Sequence, residues 1–194
     1  MLGFRCAETL TRGAPASQTG VALRNLKLFI LQRHTLFAAL VASAVLAPPA
    51  HAGGVLWRSW NDGLAAAAGS GKPVIVDVYT DWCGWCKRMD RDTYSRAEVG
   101  EYVNQHFVMV RLNAESNERV TYTGRVLTGR TLAGGFGVTG YPTTIFLRAG
   151  GEHMVNVPGY LSPDKFMKLV RYIGDGAMDR GVKWEEYTPE PKAR

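Results

Sequence analysis

The 194-residue sequence is poor in the side chains that most often bind metals, with three cysteines and four histidines. A structural zinc site needs about four such ligands. Beyond residue 52 the only candidates are Cys83, Cys86, His106 and His153, and the two histidines are isolated from the cysteine pair. Covalent haem attachment requires a histidine directly after the second cysteine, where Lys87 stands. The scarcity therefore excludes a framework of several disulfides and argues against zinc and haem.

Long apolar runs are also missing. The most apolar run, Leu36 to Ala47, has 12 residues, which is too short to span a bilayer. A basic segment precedes it, and Ala50-His51-Ala52 follows as a small-x-small cleavage site. We expect a signal peptide over residues 1–52, cleaved after Ala52, rather than an uncleaved anchor. The polar stretch 1–20 makes the basic region unusually long, so we hypothesise that translation starts near Val21 or Leu23.

A strong charge of one sign is absent once the predicted signal peptide is removed. The whole chain carries a net charge of +6, of which residues 1–52 supply four charges, so residues 53–194 carry only +2. No cluster of Lys and Arg with interleaved aromatic residues occurs in that part. Such clusters mark nucleic-acid binding. We therefore expect no nucleic-acid partner.

What the sequence does contain is an apolar stretch that leads into a cysteine pair. The β-branched and aromatic run 74–79 follows Pro73 and predicts a strand. Cys83 and Cys86 lie three residues apart, on one face of the helix that is predicted to follow. The first turn of a helix favours a thiolate at Cys83, which makes Cys83 the nucleophile and Cys86 the resolving thiol. A permanent disulfide across so small a loop would contribute little stability, so a redox-active disulfide is the favoured interpretation.

The remaining sequence predicts alternating helices and strands. Ser95 is followed three residues later by Glu98, a pattern that indicates a capping box at the start of a helix. Thr123-Gly124 separates two short apolar runs and indicates a hairpin turn. The predicted elements are a helix at 61–68, a helix from Ser95 to Asn104, a strand at 107–112, a hairpin at 120–127, a helix at 128–133, strands at 143–148 and 154–157, and a helix from Ser162 to Gly174.

Two motifs in this order resemble the thioredoxin family, in particular its periplasmic members and the C-terminal thioredoxin-like domain of the electron carrier DsbD. The first runs from Lys72-Pro73-Val74 through Asp81-Trp82-Cys83-x-x-Cys86-Lys87, and the second is Phe136 to Phe146 around Tyr141-Pro142. The resemblance covers about Lys72 to Gly174 and implies an α/β class, a thioredoxin-like fold with a mixed central sheet flanked by helices. We expect one such domain over residues 53–188. Residues 189–194 are expected to be a disordered tail. The dipeptide Gly84-Trp85 and the longer 114–133 segment depart from thioredoxin.

Asp77 is the first further site residue that the resemblance implies. It interrupts an apolar strand, where a carboxylate is expensive to bury. The matching aspartate of the family assists proton transfer with the second cysteine, and burial should raise the pKa of Asp77 enough for that role. The alternative is an aspartate that faces solvent. Arg111, on the next strand, is a candidate charge partner.

The other implied site residues would bind substrate. The family's cis peptide corresponds to Tyr141-Pro142, which would leave the Tyr141 backbone free to pair with an extended substrate chain. Trp82 and Trp85 flank the nucleophile and would form an apolar docking surface if exposed. Either tryptophan could instead pack inward.

The resemblance implies a protein-disulfide oxidoreductase without cofactor that acts on protein thiols and disulfides in the periplasm. Because Gly84-Trp85 supplies no cation, we expect the pKa of Cys83 nearer ~7 than ~3.5 and the reductant direction. A membrane electron donor of DsbD type would recharge the protein, which we expect to be a monomer. Two alternatives stay open: an oxidase or isomerase, and a non-catalytic binding or copper-delivery module, since two thiolates suit Cu(I).

Overall fold

The computed structural model describes residues 54–189. The predicted signal peptide and residues 190–194 of the predicted tail lie outside the described residues. Within the described part, no helix is both long enough and apolar enough to cross a membrane.

Residues 54–189 contain seven strands and five α-helices, and a π-helix continues the second α-helix. The strands are β1 (Trp57–Arg58), β2 (Val74–Tyr79), β3 (Val108–Asn113), β4 (Arg119–Tyr122), β5 (Arg125–Thr128), β6 (Thr143–Leu147) and β7 (His153–Pro158). The helices are α1 (Trp60–Ser70), α2 (Gly84–Met89), the π-helix (Asp90–Tyr94), α3 (Ala97–His106), α4 (Gly129–Gly135) and α5 (Pro163–Gly174).

The central sheet has the strand order β1-β3-β2-β6-β7. Strands β1, β3 and β2 run parallel, whereas β6 pairs antiparallel with β2 and β7 pairs antiparallel with β6. The register sets Asp77 of β2 opposite Arg111 of β3 on one side and Thr144 of β6 on the other. The predicted thioredoxin-like fold with a mixed sheet is confirmed.

Strand β2 separates two apolar cores because its side chains alternate between the faces of the sheet. Val74, Val76 and Val78 belong to the core that contains Trp60 of α1 and Leu132 of α4. On the opposite face, a second core joins Ile75 to side chains of α2, α3 and α5, including Met89, Val103 and Phe166. Alternation therefore places Asp77 on the face of Ile75, beneath α2 and the π-helix.

Helix α1 shows how tightly the first core is packed. Ser59 caps its amino terminus by accepting a hydrogen bond from the Asp62 amide, and Gly71 ends it in a left-handed conformation with φ 71°. The helix is therefore longer at both ends than the predicted 61–68. A Cβ built on Gly63 would lie 2.1 Å from Val110 Cγ2, so this position must lack a side chain for α1 to contact the sheet.

The predicted hairpin is present as β4 and β5. Thr123 and Gly124 both have positive φ, 48° and 76°, which matches the type I′ turn that two-residue hairpins favour. The hairpin packs on α1, where the Trp60 Nε1 donates to the Thr121 carbonyl at 3.0 Å.

The predicted capping box at Ser95 and Glu98 is wrong. Helix α3 has Arg96 as its N-cap, without a side-chain capping bond. The π-helix ends at Tyr94 and makes Ser95 its C-cap, and the Ser95 hydroxyl donates back to the Arg91 carbonyl. The Ser95 hydroxyl therefore bonds to the preceding π-helix and not, as the sequence motif predicts, to α3.

The carboxyl-terminal part matches expectation at α5. Ser162 is the N-cap and Pro163 occupies the first turn. Beyond α5, the rings of Trp184 and Tyr187 contact Tyr172 edge-on at 5.5 and 5.2 Å between centroids. These contacts hold residues 175–187 against the domain.

Candidate active site

The cysteine pair lies where β2 leads into α2. Cys83 is the N-cap of α2 and Cys86 lies in its first turn, and their sulfurs form a disulfide with a Cα–Cα distance of 5.3 Å. The Cys86 backbone N–H donates to Cys83 Sγ at 3.0 Å. Both residues are only 4% exposed. The geometry gives Cys83 a backbone donor that would stabilise negative charge on its sulfur once the disulfide opens.

Asp77, on the strand that leads to this pair, is buried, with 1% of its surface exposed. The solvent-facing alternative is therefore wrong. Arg111 donates to Asp77 Oδ2 from Nε and Nη2, both at 3.3 Å, and the Tyr94 hydroxyl donates to Oδ1 at 3.3 Å. The predicted partnership of Asp77 with Arg111 is confirmed.

Arg111 is shared between two carboxylates, because its Nη2 also donates to Asp90 of the π-helix. Burial raises the pKa of Asp77 from 3.8 to about 6; the Arg111 charge opposes this rise, and the Asp90 charge adds to it. The ion pair thus fails to offset the cost of burial. Asp77 can consequently exchange a proton close to neutral pH.

Trp82 directly precedes Cys83 and is 66% exposed. Its Nε1 donates to Glu115 Oε2 at 3.1 Å, and its ring meets Tyr141 edge-on at 5.9 Å. The peptide bond between Tyr141 and Pro142 is cis. Trp82 and the Tyr141 loop therefore form one continuous surface next to Cys83.

Trp85 lies between the two cysteines in the chain and is 55% exposed. Its ring contacts Tyr160 at 5.6 Å, and the Arg88 guanidinium lies over both rings at 5.2 and 5.4 Å. Asp92 fixes the arrangement by accepting from Arg88 Nε at 3.1 Å and from the Tyr160 hydroxyl at 3.2 Å. Neither tryptophan packs inward.

Sequence reasoning did not identify Asp90, Tyr94 or Tyr160 as neighbours of the site. Tyr94 contacts Asp77 and Asp90 pairs with Arg111, both from the π-helix that follows α2 directly, and the sequence gives no signal for a π-helix. Tyr160 comes from the distant loop between β7 and α5. No group of three or more His, Cys, Asp or Glu within residues 54–189 is arranged to hold a metal ion.

Comparison with known proteins decides the family. Residues 60–174, more than half of the chain, match the family model described as a thioredoxin-like domain. This chain belongs to the thioredoxin-like family of thiol-disulfide oxidoreductases. The chain is 34% identical over 112 residues to the thiol:disulfide interchange protein DsbD of Ralstonia nicotianae, a match that spans 57% of this chain and 17% of that protein. The chain thus corresponds to a small part of that relative's length.

Solved structures agree with the fold. A thioredoxin from Thermus thermophilus superposes with a TM-score of 0.54 at 23% identity, covering 71% of this chain and 99% of that one. The structure titled DsbH oxidoreductase superposes with a TM-score of 0.52 at 20% identity, covering 68% and 92%. At these identities the likeness establishes the shared fold.

Proposed function

We propose that this protein catalyses thiol-disulfide exchange on other proteins, with Cys83 as the attacking thiolate and Cys86 as the resolving thiol. The observation that carries the proposal is the hydrogen bond from the Cys86 backbone N–H to Cys83 Sγ at the start of α2. This donor favours charge on Cys83 over charge on Cys86.

The reaction has two exchanges. The Cys83 thiolate of the reduced protein attacks one sulfur of a substrate disulfide, which breaks that bond and releases one substrate thiolate. Cys86 then loses its proton and attacks Cys83 Sγ, which releases the second substrate thiolate and forms the Cys83–Cys86 disulfide. Two electrons pass from the cysteine pair to the substrate.

Asp77 is the proposed proton acceptor for Cys86. Its pKa of about 6 lets a carboxylate at neutral pH take up a proton and return it within a turnover. Because Asp77 is buried and contacted by Tyr94 and Arg111, its position is fixed on the strand that leads to the cysteines.

Trp82, Trp85, Tyr141 and Pro142 form the proposed substrate surface. Two tryptophans more than half exposed beside a reactive bond would be an unfavourable feature of a surface that contacts only water. Each is held in place by an aromatic neighbour and, directly or through that neighbour, by a carboxylate. A substrate segment that crosses the Tyr141 loop would lie between them.

The direction we propose is reduction, in the periplasm, with electrons from a DsbD-type membrane carrier. The predicted signal peptide supports export, and the similarity to a thiol:disulfide interchange protein supports such a partner. The dipeptide Gly84-Trp85 offers the Cys83 thiolate no cation. A thiolate without that stabilisation is more reducing than those of strong oxidants.

The roles of the cysteines can be tested by trapping. Cys86→Ser should accumulate mixed disulfides with a reducible protein such as insulin, because the second exchange is blocked. Cys83→Ser should form none and should lose insulin reduction. Turnover by Cys83→Ser, or trapping through Cys86, would contradict the assignment.

A further inference from the structure

The buried carboxylate has a neighbour that the mechanism has not used. Thr144 of β6 lies directly opposite Asp77 in the strand register and is fully buried. Its hydroxyl has no hydrogen-bond partner among residues 54–189. A buried hydroxyl without a partner destabilises the fold, so its place beside a titrating group requires an explanation.

Thr144 and Tyr94 both lie beside Asp77, Thr144 opposite it in the strand register and Tyr94 through its hydroxyl. Residues directly opposite on antiparallel strands point to the same face of the sheet, with Cβ atoms about 4.5 to 5.5 Å apart. Burial raises the pKa of Tyr94 well above its ordinary value and the charge of Asp77 adds to this, whereas the Thr144 hydroxyl acts in the opposite sense. The three side chains Asp77, Tyr94 and Thr144 therefore form one polar cluster.

The hydrogen-bonding needs of Asp77 change with its charge. The carboxylate accepts from Tyr94 and from Arg111. Neutral Asp77 gains an O–H that must be accepted by a neighbour, and a guanidinium has no acceptor atom. The Tyr94 oxygen can accept, provided that the Tyr94 proton finds another acceptor. The Thr144 hydroxyl, which lies beside Asp77 on the same face of the sheet, is the candidate for that acceptor.

We propose that Thr144 is a positioning residue that stabilises the protonated form of Asp77 through Tyr94. While Asp77 is charged, Tyr94 donates to Asp77 and not to Thr144. When Asp77 takes up the Cys86 proton, Asp77 donates to Tyr94 and Tyr94 donates to Thr144. The inference rests on the proposed role of Asp77 as proton acceptor.

Other charged groups around Asp77 are unchanged in the variants that test this relay. Arg111 faces Asp77 from β3, and Asp90 faces the shared guanidinium from the π-helix. The disulfide cysteines do not titrate in the oxidised protein, so the first measurement is made in that state.

The direct test is titration of Asp77 by carboxyl carbon NMR in the oxidised protein, with the signal assigned from its absence in Asp77→Asn. Thr144→Val removes the acceptor at similar volume and should lower the pKa of Asp77. Its acid dissociation constant should rise about threefold to tenfold. Thr144→Ser keeps the hydroxyl and should titrate like the wild type. An unchanged constant in Thr144→Val would overturn the proposal.

A double variant separates the relay from a direct contact. In a Tyr94→Phe background, Thr144→Val should leave the titration of Asp77 unchanged, because the link through Tyr94 is already missing. The same shift in both backgrounds would show that Thr144 acts on Asp77 without Tyr94 and would overturn the relay.

A kinetic measurement distinguishes failure of the relay from failure of the proposed function. The starting species is a mixed disulfide between Cys83 and a substrate. The rate at which Cys86 resolves this mixed disulfide and releases the product is followed against pH. Asp77→Asn should remove the limb near pH 6 that ionisation of Asp77 produces, and Thr144→Val should move it to lower pH. A profile unaffected by Asp77→Asn would contradict the role of Asp77 itself and with it any catalytic use of the relay. A profile that depends on Asp77 but not on Thr144 would contradict the relay alone.

Discussion

Two regions of this protein use tryptophan in opposite ways. Beneath the inserted hairpin, Trp60 is 2% exposed, its ring packs on Tyr122 and Phe136, and its Nε1 donates to the Thr121 carbonyl. At the cysteine pair, Trp82 and Trp85 are 66% and 55% exposed. The hairpin region follows the rules of core packing, whereas the cysteine region departs from them.

The cysteine region also contains the buried charge of the domain's second core. Asp77 remains unfavourable there, since its pKa is raised to about 6 despite contact with Arg111. Exposed rings and a destabilised carboxylate are costs that a purely structural region would avoid. We therefore expect substitutions in the hairpin region to lower stability, and substitutions at the cysteine region to change chemistry or binding without lowering stability.

The largest effect is expected from Trp60→Ala. Removing the indole leaves a cavity and an unpaired Thr121 carbonyl, so the free energy of unfolding should fall by about 3 to 5 kcal/mol. Denaturant unfolding measures this loss. Insulin reduction per folded molecule should stay at the wild-type rate, and a specific loss of activity in the folded fraction would break the comparison.

Asp77→Asn should have the opposite effect on stability. The pKa of Asp77 is about 6 in the native state, against 3.8 for an ordinary aspartate. Between these two pH values the native state holds a proton that the unfolded chain has lost, so the stability of the wild type falls as the pH rises from 3.8 to about 6. Asparagine removes the penalty, and Asp90 still pairs with Arg111. The variant should be more stable than the wild type by about 3 kcal/mol at pH 7.5.

That gain should shrink to nearly nothing at pH 3.5, where both states of the wild type are largely protonated at Asp77. Denaturant titrations at the two pH values provide the check. A gain of equal size at both would show that the carboxylate charge is not its cause.

Glycine offers a matched pair of substitutions across the two regions. Gly63→Ala places a Cβ 2.1 Å from Val110 Cγ2 and should destabilise the fold by about 1 to 3 kcal/mol. Gly84→Ala, in the dipeptide between the cysteines, meets no atom within 4 Å and should leave the melting temperature unchanged or slightly higher. Equal destabilisation by both would contradict the contrast in packing.

The smallest expected effect concerns substrate binding. Trp85→Ala should change the free energy of unfolding by no more than about 0.5 kcal/mol while lowering kcat/KM for a protein disulfide about tenfold. Reduction of a small disulfide that cannot reach Trp85 and Tyr160 together should be unaffected. Trp184→Ala, which removes a partly exposed tryptophan packed on α5, is the control and should retain wild-type kinetics. Equal losses on both substrates would place the role of Trp85 in the chemistry rather than in docking.

The sequence is most informative where function depends on local order. The spacing of Cys83 and Cys86, the carboxylate within an apolar strand and the Thr123-Gly124 turn each identify a feature without knowledge of the rest of the chain. Prediction fails where two helices compete for the same side chain, or where residues far apart in the chain come into contact. Ser95 has the pattern of an N-cap, yet the Arg91 carbonyl captures its hydroxyl.

The side chains around Asp77 and Trp85 depend on tertiary placement. Tyr94, at the end of the π-helix, reaches Asp77 across 17 positions in the chain. Tyr160 reaches Trp85 across more than seventy positions in the chain. No periodicity within a single segment could report either contact.

The redox potential of the Cys83–Cys86 pair tests the central claim most directly. Equilibration with glutathione buffers, read from the ratio of reduced to oxidised protein, gives the value. We predict a potential below roughly −220 mV, because the Cys83 thiolate has the Cys86 N–H as a donor but no cation in its dipeptide. A potential above about −160 mV would contradict the account and indicate an oxidase or isomerase.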